Sequence, residues 1–411
     1  MSVTKTVRHC LGNIKRKIED WMVIPYLKSA SERMNQGDKI KVGFIVYEPE
    51  SWDKLQPIYE RMRLDNQFSP ELIVVPSYDV NLSLGTKYGY ELEFFEKKYG
   101  DIIHAINNDG TTIDLESFRF DYVFYQDPYN VHYPKRIRSG KVVKYSKVCY
   151  IPYGYTISEN FSDLISNNKG FFRNTYIFFS ANRIDGLTFE KMYASNIKRG
   201  LQTIKYLGYP SLEKYTDIRK ECDNKSITWT PRWTYDSKVG GSHFVEYKDK
   251  FVRLTEEFES AKLLLRPHPM MFGNLVRVGL MTDDEVCDYK DTLRKRNIGI
   301  DINSPIDEIL ERTGILVTDI SSIIVSFFMT GRPIIYCVCE LPPSEDFKEM
   351  LEGIYVAENW EDVKKYISRL INGDDFLREK RIEILHRDSF QVHCNSTENI
   401  VNYLKECSGL S

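Results

Sequence analysis

No run in this sequence approaches the ~18 consecutive apolar residues that a membrane-crossing helix needs, and no short apolar core ending in small residues opens the chain, so neither a spanning segment nor export is expected. The eight cysteines, among them Cys149, Cys222, Cys337 and Cys394, form no CxxC pair. Several lie inside apolar strand-like runs, so they read as reduced thiols of a cytosolic protein rather than as zinc ligands or a disulfide framework. Basic residues are not in excess, because 56 Lys and Arg face 59 Asp and Glu for a net charge of −3, which gives nucleic acid no field to follow. There is no HExxH and no acidic pair beside a histidine, so no protein-bound metal is expected; a divalent ion carried in with a substrate stays open. No GxGxxG follows the first strand, whose end reads Tyr47-Glu48-Pro49-Glu50, and this disfavours a dehydrogenase. Internal repeats and low-complexity tracts are absent as well.

What is present is 411 residues of ordinary globular composition, too many for one comfortable core and about right for two domains. From Lys39 onward short apolar runs alternate with helical segments. Strands are predicted at 40–46, 72–75, 122–125, 148–151 and 176–179, with helices at 52–62 and 88–99 between the first of them. That alternation implies parallel βαβ units and an α/β fold. A second series opens at Ile227-Thr228-Trp229-Thr230-Pro231-Arg232-Trp233 and continues through a flexible loop, Gly240 to His243, and a helix at 251–260.

Two stretches of this second half carry the chemistry. In Leu263-Leu264-Leu265-Arg266-Pro267-His268-Pro269 a buried strand ends at two ionisable groups, and the flanking prolines hold His268 in an extended, rigid setting. Ligands of open α/β sheets collect at such carboxyl ends of strands. The partner stretch, Ile315-Leu316-Val317-Thr318-Asp319-Ile320-Ser321-Ser322, reads as a strand, a polar turn and a helix that ends at Gly331, followed by a strand from Pro333. Its hydroxyls and amides suit an anion, although Asp319 and Ser321 also suit plain helix capping.

These residues resemble the CDP-glycerol glycerophosphotransferases of teichoic acid and capsule synthesis. The family's Arg-Pro-His-Pro motif matches Arg266 to Pro269. Its Thr-Asp-Tyr-Ser-Ser turn matches Thr318 to Ser322, with Ile320 in place of Tyr, and its Arg-Pro-Ile strand matches Arg332 to Ile334. The resemblance implies a GT-B-like fold, with two Rossmann-like domains facing a cleft and the nucleotide donor on the second. It implies donor binding through Arg232, Arg266, Thr318, Asp319, Ser321 and Ser322, with His268 as hydrogen-bond donor or acid toward the leaving phosphate. The family's Trp-His-Gly turn, whose His is its proposed base, falls on Pro152-Tyr153-Gly154. A phenol with an unperturbed pKa near ~10 is a poor base, so either Tyr153 binds and Asp127, His132 or Glu159 takes the proton, or the acceptor chemistry differs.

Residues 1–34 stand apart as a basic amphipathic helix. Val3, Val7, Leu11, Ile14, Ile18, Trp21 and Met22 form its apolar stripe, and a bend is expected near Pro25. Packing on protein and binding to a membrane surface are equally consistent with it. The expected organisation is this arm, an acceptor domain at 35–212, a donor domain at 213–380 and a helical tail at 381–411, which either stays with the second domain or crosses back to the first. The expected activity is transfer of a polyol phosphate from a CDP-activated donor to a hydroxyl of a surface polymer or its lipid-linked precursor. It releases CMP at the inner face of the plasma membrane and uses no resident cofactor. A nucleotide-sugar glycosyltransferase and a non-catalytic membrane-attached partner are the alternatives.

Overall fold

The computed structural model describes residues 3–32, 38–76, 89–159, 163–216 and 222–409, with side chains from Lys17 onward in the first stretch. The chain divides into two compact units. One comprises Met1–Gly154, Ser162–Ser211 and Asn395–Ser411; the other comprises Tyr155–Phe161 and Leu212–Cys394.

The first unit is built on a seven-stranded sheet in the order β3-β2-β1-β4-β5-β6-β7, made of β1 (Ile40–Val46), β2 (Phe68–Val74), β3 (Ile103–His104), β4 (Tyr122–Tyr125), β5 (Lys147–Tyr150), β6 (Thr175–Phe179) and β7 (Thr203–Lys205). Every neighbouring pair is parallel. β4 and β5 are buried along their whole length, as continuous apolar strands covered on both faces must be. The expected helix at 52–62 is shorter and later, Gln56–Arg63, because Pro57 lies in its first turn, where a missing N–H costs nothing.

The helix Val3–Glu32 runs through Pro25. Its last turns lay Val23, Leu27 and Ala30 against the first unit, at i, i+4 and i+7 on one face. Arg173 holds Glu19 at 2.5 Å and Asp20 at 3.4 Å beside them. Of the expected stripe, Ile18, Trp21 and Met22 are exposed, Trp21 by 72%. Val3, Val7, Leu11 and Ile14 lie outside the described side chains. The helix Ser396–Ser408 belongs to this unit too; Glu398 meets Arg61 at 2.7 Å, and Lys405 meets Asp65 at 2.6 Å.

The second unit carries a six-stranded sheet in the order β10-β9-β8-β11-β12-β13, formed by β8 (Ser226–Thr230), β9 (Lys262–Leu265), β10 (Gly299–Ile300), β11 (Ile315–Thr318), β12 (Ile334–Cys337) and β13 (Tyr355–Ala357), again parallel throughout. Ile227, Trp229, Leu263, Leu265, Ile315 and Val317 form its core, each side chain contributing about 1.5–3 kcal/mol by burial. The helix expected at 251–260 begins earlier, at Phe244–Glu257, because the turn at Gly240 and Gly241, both with positive φ, ends the preceding loop sooner.

β11 enters the sheet through Gly314, whose amide bonds the Ser226 carbonyl at 2.8 Å. A Cβ there would meet the Asp223 carbonyl oxygen at 2.0 Å, and backbone cannot swing aside as a side-chain tip can. Gly314→Ala is therefore expected to destabilise the protein by about 1–3 kcal/mol through overpacking, measured as a lower denaturant midpoint with an unchanged slope.

Candidate functional site

Three adjacent strands of the second unit, β9, β8 and β11, end at Arg266-Pro267-His268, Pro231-Arg232 and Asp319 to Ser322. The sheet thus brings both motif stretches to one edge. His268 is exposed, and its Nδ1 accepts a hydrogen bond from the Met270 amide at 3.2 Å. Because an amide can only donate, Nδ1 carries no proton, and the ring hydrogen of the neutral form sits on Nε2. Desolvation, with the charges of Arg266 and Arg232, pushes the His268 pKa below its ordinary value. In the neutral ring Nε2 is therefore the nitrogen that can donate.

The other motif side chains have different destinations. The Arg266 guanidinium is spent on carbonyls, Ile302 at 2.7 Å, Ser304 at 3.1 Å, Asp301 at 3.2 Å and Pro267 at 3.3 Å. It clamps the segment after β10 and places positive charge near His268, while its Nε is buried with no hydrogen-bond partner among the described residues. Thr318 is buried, its hydroxyl donating to the Asp319 carbonyl at 2.8 Å. Asp319 is buried as well. Ser322 is exposed and Ser321 partly so; the latter's hydroxyl takes only a long 3.5 Å bond from the Ile323 amide. The helix that follows, Ile323–Met329, is shorter than expected, and Ser322 gives it no side-chain cap.

Asp319 is the hub of this edge. Its Oδ2 accepts from the Arg232 amide at 2.8 Å, the Ser242 hydroxyl at 3.2 Å and the His243 amide at 3.4 Å, while Oδ1 meets His243 Nδ1 at 2.6 Å. The Arg232 side chain reaches the Ile320 carbonyl at 2.5 Å. Burial lowers the His243 pKa, but the hydrogen bond to Asp319 and its charge outweigh it and leave the value raised. His243 was not a candidate on sequence; the signal was the Gly240-Gly241 pair, read only as flexibility. Gly240 has φ 106°, and a Cβ there would meet Ile320 Cγ2 at 2.6 Å, so the loop closes down on the residue in the Tyr position of the family turn. His243, Asp319 and Cys337 lie close enough to suggest a metal, with donor atoms within 4.8 Å of one another. Both Asp319 oxygens are engaged by Arg232, Ser242 and His243, and burial pushes the Cys337 thiol's pKa up.

The first unit has a second cluster, at the carboxyl ends of β1, β4 and β5. Asp127 is buried and accepts from the Tyr129 amide at 2.7 Å, from His132 Nδ1 at 2.7 Å and from the Tyr47 hydroxyl. A carboxylate so engaged holds its partners in place. The hydrogen bond to Asp127, opposed by burial, raises the His132 pKa. Tyr153 is 44% exposed, and its hydroxyl lies 2.8 Å from that of Tyr129. Burial and Tyr129 push the phenol's pKa up, away from any basic role. Lys54 Nζ lies 5.6 Å from the centre of the Tyr153 ring; it is fully buried with no hydrogen-bond partner among the described residues, and burial lowers its pKa to about 8. Glu159 falls in the second unit, exposed and 4.0 Å from Lys348.

Two all-parallel α/β units, with polar clusters at the carboxyl ends of their strands, define a GT-B-like protein. The chain belongs to the CDP-glycerol:poly(glycerophosphate) glycerophosphotransferase family, whose model matches residues 154–406. The resemblance read from Arg266 to Pro269 and Thr318 to Ser322 is thereby borne out. Among solved structures it is similar to the wall teichoic acid polymerase TagF, with 15% identity over 99% of this chain and 97% of that one and a TM-score of 0.54. It is also similar to a UDP-GlcNAc 2-epimerase from Neisseria meningitidis, with 12% identity over 89% of this chain and 100% of that one and a TM-score of 0.60. At these identities the likeness is one of fold. No curated protein matches the sequence.

Of the second unit's histidines, His243 and His268 should titrate on opposite sides of the unperturbed value near ~6.5, and NMR titration with His268→Gln and His243→Gln as assignments checks it. With its pKa raised, His243 adds stability that is complete below ~6.5 and lost as pH rises through the folded value. With its pKa lowered, His268 costs stability as pH falls below ~6.5.

Proposed function

We propose that this enzyme transfers glycerol phosphate from CDP-glycerol to a hydroxyl of a teichoic-acid-like or capsular polymer, or of its lipid-linked precursor, releasing CMP. The observation that carries the reading is the gathering of His268, Arg232 and the Ser321-Ser322 turn at the ends of the adjacent strands β9, β8 and β11. In this reading the second unit holds the donor. His268 Nε2–H and the two serine hydroxyls bond the phosphate oxygens, and Arg232 supplies charge from its seat against Ile320. The first unit holds the acceptor, with Tyr153 and Tyr129 lining its place. His132, oriented by Asp127, takes the hydroxyl proton through Nε2. The hydroxyl oxygen attacks the β-phosphorus, and the bond from that phosphorus to the bridging oxygen breaks, its electron pair leaving with CMP. Positioning and charge supply most of such a step, which suits a site of this composition.

Incubation with a panel of CDP- and UDP-activated donors and a lipid-linked acceptor should give CMP from CDP-glycerol. UDP released from a nucleotide sugar would make the chain a glycosyltransferase, and no turnover with any donor would make it a non-catalytic partner. His132→Gln should lower turnover by about 10²–10⁴, as loss of a general base does, whereas Tyr153→Phe should change it by less than about tenfold. The reverse order of effects would make the phenol the base.

We also infer that the N-terminal helix rests on the inner face of the plasma membrane. Support comes from Ile18, Trp21 and Met22, which stay exposed while Val23, Leu27 and Ala30 fix the helix to the first unit. Lys5, Arg8, Lys15, Arg16 and Lys17 lie in the same stretch, and a basic residue beside an anionic surface contributes about 1 kcal/mol. The double variant Trp21→Glu, Met22→Glu should cut co-sedimentation with phosphatidylglycerol vesicles at least about tenfold while leaving the melting temperature unchanged. Equal binding would assign the exposed residues to a protein contact.

A further inference from the structure

His243 is the first residue before the helix Phe244–Glu257, where a polar side chain would ordinarily cap the free amides, yet its side chain makes no capping bond. Its Nδ1 is turned to Asp319 at 2.6 Å, and its ring stacks on Tyr247 with centres 5.0 Å apart and planes at 25°. Nε2 has no hydrogen-bond partner among the described residues, and the side chain keeps 22% of its surface exposed. A buried carboxylate that also holds the Arg232 amide and Ser242 thus spends its shortest bond on fixing one imidazole. Carboxylates in this position set the tautomer and hold the ring's charge, so that the outer nitrogen can act on something else.

We propose that His243, as an imidazolium held by Asp319, is a cationic hydrogen-bond donor of the donor site and meets an oxygen of the donor's diphosphate through Nε2. The inference rests on the donor reading of β9, β8 and β11. Asp319 joins the two parts of that site directly, since it accepts from both His243 and the backbone of Arg232, whose charge in turn acts on His268. The edge then holds two histidines of different character. His268 is the neutral donor, unaffected by alkaline pH, and His243 is the charged one. As the bond to the β-phosphorus breaks, charge grows on the oxygen that leaves with CMP. A donor already charged and already oriented stabilises it without giving up its proton. Asp319 acts through His243 and is a positioning residue.

The groups facing His243 are Asp319 from the end of β11, Cys337 from the end of β12, and Glu246 and Tyr247 from its own helix. Tyr235 stands on the preceding loop and bonds the Val245 amide at 3.1 Å. Burial drives the pKa of Cys337 and of Tyr235 upward. Both shifts carry these groups away from neutrality, and the His243→Gln variant separates an alkaline change at His243 from one at a neighbour such as Cys339.

The test is calorimetric titration of the full-length protein with CDP-glycerol, whose diester phosphates keep their charge from about pH 6 to about pH 9. Wild-type affinity should fall by about tenfold as pH rises, the loss expected when a hydrogen bond from a charged donor disappears. The fall should vanish in His243→Gln and move to lower pH in Asp319→Asn, where the ring keeps an acceptor but loses its counter-charge. His243→Asn serves if the Gln variant does not fold. A flat wild-type profile, or an alkaline fall that survives in His243→Gln, overturns the role of His243. If His268→Gln still weakens binding, the donor site stands. No binding by wild type at any pH overturns the donor reading itself.

Discussion

A carboxylate sealed from water must find donors, and the second unit is arranged around the donors found for Asp319. An unpaired buried charge would cost several kcal/mol, so the backbone after β8, the hydroxyl of Ser242 and the ring of His243 are drawn to one point at the end of β11. That convergence forces the loop between β8 and the next helix to fold back tightly. It explains why Gly240 and Gly241 adopt positive φ and why Ile320 can press against a residue without a Cβ. Asp127 does the same at the end of β4, gathering Tyr47, Tyr129 and His132. Each unit therefore builds its polar edge from one internal anion and the groups that neutralise it. In each the histidine is left with one nitrogen engaged and one not.

The fold was legible because parallel strands buried on both faces leave a strong sequence trace. The runs at 40–46 and 122–125 agree with β1 and β4 to the residue, and β11 and β12 differ from expectation by one at an end. Helices were less legible where their signal is capping rather than apolar periodicity. Asp283–Lys295 opens with Thr282 and Glu285 in a reciprocal capping box, a pattern plainly present in the sequence, yet no helix was expected there. Asn182 likewise caps Arg183–Lys198. Short strands such as β10 and β13 have too few residues for any periodicity to show.

In the site, the positions of the motifs were legible and the uses of their side chains were not. Arg266 and His268 are two residues apart in one motif, yet one is consumed by the carbonyls of residues 301–304 and the other is exposed. Only the path of the chain after β10 decides this, and that path is not written near residue 266. Thr318 and Asp319 belong to the same turn as Ser321 and Ser322, but the turn faces the first two inward and the second two outward. A motif marks where a chain must do something unusual without separating the residues that touch a ligand from those that hold the turn in shape.

Tyr153 shows how a substitution at one position can be absorbed by its neighbours. A phenol there is pushed further from basicity by its surroundings, and the proposed reaction gives the proton to another group on the same edge. His132 is such a group. It is tied to Asp127 at 2.7 Å, in contact with Tyr129, and that tyrosine is in turn bonded to Tyr153. The hydroxyl pair thus links the position that carries the base in the family pattern to the histidine that can serve here. Lys54 adds a constraint of its own, because a buried amine beneath the Tyr153 ring opposes the build-up of further positive charge nearby. In the proposed reaction, a proton taken up by His132 creates that charge. The negative charge of Asp127, close to both, is what allows the two cations to share one edge.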